Sequence, residues 1–174
     1  MNDKKLFQLG AWCAFGLAAA LVVNGIATFI GSQTLWVVSR IGVVIFLFGV
    51  LPAVRARVRP AHAGWTDWLT NLAYLGAGAE ALRWLGNLEF NSAWLLFGGL
   101  GLWSIVINIL ALRHKLWPAV LAGIGIAGGV LLLGVILSSQ FAALAFLNVL
   151  SAGLGAVVLY PAWLVWIGLR MRAE

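Results

Sequence analysis

Charge is scarce in this chain. Only 9% of its 174 residues are Asp, Glu, Lys or Arg, while 63% are hydrophobic, and a soluble domain carries about a quarter charged residues. That is too few charges to coat a surface facing water, so the sequence excludes an ordinary soluble domain, a disordered chain and a coiled coil. Cysteine is almost absent as well. A single thiol, Cys13, permits no intrachain disulfide and no Cys/His metal spacing, and it reads as a small packing residue. There is no G-x-S-x-G elbow, no HExxH and no phosphate-binding P-loop. The net charge of +6 comes from eleven dispersed basic residues, with no soluble face to gather them, so no nucleic-acid partner is implied.

What is present is apolar length. Mean hydropathy is +1.03, and a bilayer-crossing helix needs about 20 mostly apolar residues. Runs bounded by charges or turn residues predict one all-α domain over 1–174, with six transmembrane helices at about 6–30, 35–54, 65–88, 93–112, 116–136 and 141–169. Pro118 falls where the first turn of the fifth helix tolerates it. Ser138-Ser139-Gln140 is expected to turn the chain before the sixth. No strand-like alternation runs through these lengths, which argues against a barrel. Met1–Lys5 resembles the basic start of a signal peptide, but the apolar run extends to Ile30, so the first helix is expected to be retained.

Nine of the eleven basic residues fall on one side of this threading: Lys4, Lys5, Arg55, Arg57, Arg59, Arg113, Lys115, Arg170 and Arg172. The positive-inside rule therefore puts both termini in the cytoplasm and the chain in an inner (plasma) membrane, with the lipid bilayer as its first partner. Nine of the ten tryptophans are expected at the two interfaces, and Trp103 alone in mid-bilayer.

Small residues should bring the helices together. Gly125 and Gly129 form a GxxxG pair, and Ala119, Gly123 and Ala127 form a parallel row. The third helix is the most polar. Asp67, Asn71, Tyr74 and Gly78 share one stripe, while Ala73, Gly76, Ala77 and Glu80 share another face. Two faces unsuited to lipid predict an interior helix with neighbours on both sides.

Ionisable groups inside lipid need a partner or a purpose. At 1.5 Å rise per residue, Glu80 sits roughly 6 Å and Arg40 roughly 7–8 Å below the same outer boundary. Matching depth and opposite sign predict an Arg40–Glu80 pair, with Arg83 at i+3 able to share or replace Arg40. An interhelical clamp is the preferred role, and a proton-responsive carboxylate the alternative. Asp67 is expected to cap the third helix, and Asn24, Asn71, Asn108 and Asn148 to hydrogen-bond across helices. Both histidines, His62 and His114, fall at cytoplasmic ends, where haem ligation has no support.

The terminal segment from Leu159 to Leu169, LYPAWLVWIGL, resembles the last helix of small uncharacterised bacterial membrane proteins with six spans. That resemblance implies a topology and carries no site residues. The expectations for function are four, of which the last, an enzyme, is held only nominally; the other three follow in order of preference. The first is a structural or accessory scaffold subunit of a membrane complex, without catalysis or cofactor. The second is a binding or transport module for a hydrophobic small molecule such as a quinone, carotenoid or lipid. The third is a proton-coupled transporter using Glu80.

Overall fold

A computed structural model describes residues 3–86, 93–141 and 151–173. These residues form helices joined by short turns: α1 (Asp3–Ile30), α2 (Gln33–Val58), α3 (Ala63–Leu85), α4 (Ala93–Arg113), α5 (Ala119–Gln140), and a π-helical stretch, Ser151–Leu159, that leads directly into α6 (Tyr160–Arg172). The helix bounds depart from the sequence expectation chiefly at the ends. α2 continues a turn beyond residue 54 through Arg55 and Arg57, and α5 carries straight through the expected turn at 138–140. Pro118 lies one residue ahead of α5, not within its first turn. The stretch 142–150, with Asn148, lies outside the described residues.

Five of these helices are long and apolar enough to cross a membrane. α3 is long enough but not among the five, because Asp67, Asn71, Glu80 and Arg83 dilute its apolar content. Of the six expected spans, the described residues therefore show six helices, five of them with the length and composition of a span.

Each helix packs on its neighbours in chain order, and α1 closes the set against α6 and the π stretch, so the six form a ring. α3 is a member of that ring between α2 and α4. Its inward face is Thr66, Leu69, Thr70, Ala73, Gly76, Ala77 and Glu80, whereas Asn71, Leu75 and Leu82 are exposed. The expected neighbours on both sides are α2 and α4, but the helix is a member of the ring and not interior to it: one small-residue face is fully covered, while the other stripe is half-covered at Asp67 and Tyr74 and exposed at Asn71. Gly76 decides which face is covered, because a Cβ there would collide with the α4 backbone at Leu95 and Leu96.

The ring encloses side chains, with Trp103, Trp163, Tyr160, Leu47, Leu51 and Ile107 fully buried. Its outer surface is apolar instead, with Val23, Ile26, Ile41, Ile45, Val130 and Val158 all exposed. That is the reverse of a water-soluble surface. Close approach of α4 and α5 follows from Gly101 and Gly129, each facing the other's carbonyl, so the GxxxG pair is used within the chain. The parallel row Ala119, Gly123 and Ala127 faces outward. The π stretch ends where Pro161, lacking an N–H, enters the first turn of α6 and the helical ladder must restart.

One end of the bundle collects most of the basic residues. The start of α1 meets the end of α6, where Arg172 lies over the Trp12 ring at 5.4 Å. The end of α2 meets the start of α3 through Arg55 and Asp67. A small cavity of about 50 Å³ joins Arg57, Trp117 and Arg170 at the same end.

Candidate functional site: three polar ties between helices

Among the described residues, polar side chains tie helices together in three places, two of them buried and one at the exposed basic end. Nearest the end formed by the α1–α2 turn, Arg40 of α2 meets Glu80 of α3, with Arg40 Nη2 3.0 Å from Glu80 Oε1. The two are 6% and 0% exposed, respectively. Trp84, one turn along α3, donates its indole N–H to the same carboxylate oxygen at 3.1 Å. The Arg40 guanidinium lies 5.3 Å from the Trp36 ring and 5.0 Å from the Phe97 ring, and its buried Nε makes no hydrogen bond among the described residues. Trp36 and Trp84 meet edge to face at 5.5 Å and close the outside. Arg83 is placed over the Trp84 ring at 5.1 Å. The pair therefore links α2 to α3 and, through Phe97, touches α4. Beside it, Asn24 of α1 donates to Ser39 Oγ of α2 at 3.0 Å.

The second tie is at the basic end. Asp67 accepts from Arg55 Nε at 2.7 Å and from Arg59 Nε at 3.2 Å, fastening the first turns of α3 to the last turn of α2. This corrects the capping role expected of Asp67. The cap is His62, whose Nδ1 accepts from the Trp65 amide at 3.3 Å, while Thr66 Oγ1 donates to the His62 carbonyl at 2.7 Å. An open cleft of about 770 Å³, lined by Pro52, Arg55, Arg59 and His62 among others, lies beside this hairpin.

The third tie is central, and its geometry was not legible in the sequence. Asn108 of α4 donates through Nδ2 to the Ser104 carbonyl at 2.7 Å, and its Oδ1 accepts two indole N–H groups, from Trp163 at 3.0 Å and Trp117 at 3.2 Å. Ser104 donates to the Gly125 carbonyl of α5 at 2.8 Å, and a Cβ at Gly125 would overlap the Asn108 amide. Trp103 meets Trp163 edge to face at 6.0 Å and donates to Thr70 Oγ1 of α3 at 3.2 Å. One amide and two hydroxyls thereby join α3, α4, α5 and α6 and the link before α5. Trp117 and Trp163, both expected near the cytoplasmic ends, are buried within the chain, where Asn108 provides the acceptor their indole N–H groups need.

The expected polar stripe Asp67, Asn71 and Tyr74 does not act as one unit. Asp67 is held by the arginines, Tyr74 is half-buried and stacked on Phe48 at 5.5 Å, and Asn71 is exposed. The physical reason is the rotation of α3, which turns its Thr70–Gly76–Glu80 face inward. Cys13 is a half-buried free thiol packed against Gly49 of α2. Among the described residues no group of His, Cys, Asp and Glu could hold a metal ion.

No family model, no curated protein and no solved structure matches this chain.

Proposed function

We propose that this chain is an integral membrane protein whose six helices cross an inner (plasma) membrane with both ends in the cytoplasm, and that it serves as a structural or accessory subunit without catalysis. The observation that carries this reading is the use made of its buried polar groups. Arg40, Glu80, Ser104 and Asn108 are committed to bonds between helices, the role that polar side chains take where water cannot satisfy them. The apolar outer surface and the basic end support the bilayer and its sidedness. α3, too polar to be apolar enough alone, crosses on this reading because Glu80 and Thr70 are met by α2 and α4.

The test is purification from its own membrane in mild detergent, with a mass, an absorption spectrum and proton flux in proteoliposomes. A structural subunit shows only aromatic absorption, no flux above empty vesicles, and a protein partner at fixed stoichiometry. A stoichiometric chromophore or quinone would replace this reading with ligand binding. Flux that disappears in Glu80→Gln while the melting temperature stays constant would replace it with transport.

A further inference from the structure

Among the described residues, Asn71 is the one amide, hydroxyl or charged group exposed more than two turns from a helix end. It lies three residues from the middle of α3, so on the membrane reading, on which this inference rests, its amide sits near the bilayer centre. Such a group in hydrocarbon needs a partner, and none is within its own chain among the described residues.

The residues around it form a continuous seam. Trp68, Asn71, Leu75, Gly78, Leu82 and Leu85 succeed one another at spacings of three and four, over about 25 Å at 1.5 Å per residue. Trp68, Leu75 and Leu82 are 58%, 67% and 60% exposed. Gly78, one heptad after Asn71, has open space where a Cβ would be, as close approach of a second helix requires. Outward residues of any half-covered helix share this spacing. What distinguishes α3 is the polar group inside it.

We infer that this face is where two copies of the chain pair, their α3 helices parallel about a two-fold axis along the membrane normal, with the two Asn71 amides hydrogen-bonded to each other. The occupant follows from chemistry and symmetry. A carboxamide carries both donor and acceptor, so it is complementary to itself. Copies inserted in the same orientation bring Asn71 to the same depth as its mate. A lone Asn in an apolar heptad seam pairs with its own counterpart and fixes the register. The seam contains no charge to repel its copy.

Two measurements test this. In detergent, each particle should contain two copies of the wild-type chain, which contribute twice the 18.6 kDa chain mass beside any partner protein. Asn71→Leu, an outward substitution that leaves the core untouched, should raise the dimer dissociation constant about tenfold, or about 1.4 kcal/mol. In native membranes a Cys13→Ala chain carrying Leu75→Cys should form a disulfide-linked dimer on oxidation, while Val23→Cys on α1 and Gly123→Cys on the outward row of α5 should not. A single copy per particle at all concentrations, an unchanged constant in Asn71→Leu, or cross-linking at residue 123 in place of 75 would overturn the pairing. A chain that stays folded without amphiphile would instead overturn the membrane reading.

Discussion

Glu80 and Arg40 sit where water cannot reach, and neither is tolerable without the other. Glu80→Gln leaves a buried guanidinium without its counter-charge and should destabilise the protein in detergent by about 3 kcal/mol, the low end for a broken buried pair because the amide keeps one hydrogen bond. Combining it with Arg40→Met should recover most of the loss, since well-packed apolar replacements of a buried pair are often neutral. A thermal melt of the two single variants and the double variant reads this directly. Asn108 carries a comparable load: Asn108→Leu strands two buried indole N–H groups, at about 1–3 kcal/mol each, whereas Trp163→Phe removes one donor and strands none. Melting temperatures should therefore fall further for Asn108→Leu than for Trp163→Phe. The ion pair was legible because helical rise converts sequence position into depth, and charges of opposite sign at one depth are few in a chain this apolar. The Asn108 hub was not. Its donors are 9 and 55 residues away, and only the tertiary arrangement brings them to one oxygen.

Helices as units were well marked in the sequence, and their rotations were not. Apolar length and basic clusters locate α1 and α4 closely, yet the α2 and α5 ends extend further because Arg55, Arg57 and Ser138 prolong a helix as readily as they end one. For α3, composition offers two faces unfit for lipid without ranking them. The ranking comes from Gly76, which admits the α4 backbone, and from Glu80, which must meet Arg40. The contact between α4 and α5 is equally dependent on space: Gly129→Leu should push the Gly101 backbone away and cost about 1–3 kcal/mol in a denaturation series, as overpacking does. At the end of α4 the effect has the opposite sign. Lys115 holds φ 54, a left-handed conformation, while the Leu116 amide closes on the Ala111 carbonyl at 2.9 Å. Lys115→Gly should stabilise the protein by about 1 kcal/mol, seen as a higher melting temperature.

As a whole, the molecule is a closed ring of helices with aromatic and polar ties inside, aliphatic side chains outside and most of its basic residues at one end, Arg40 and Arg83 lying towards the other. On the membrane reading, burial of apolar area gives little drive between helices, so packing and the three polar ties hold the ring. On the proposed reading, hydrocarbon surrounds this ring and water meets only its two ends. The most direct check uses a Cys13→Ala chain with single cysteines at Ala61 and Ala173 on the basic end, or at Gln33 on the far end, in sealed vesicles treated with a membrane-impermeant thiol reagent. Ala61→Cys and Ala173→Cys should label from the cytoplasmic face alone and Gln33→Cys from the opposite face alone. Labelling of all three from a single face, or equal labelling from both, would contradict a bundle that spans the bilayer.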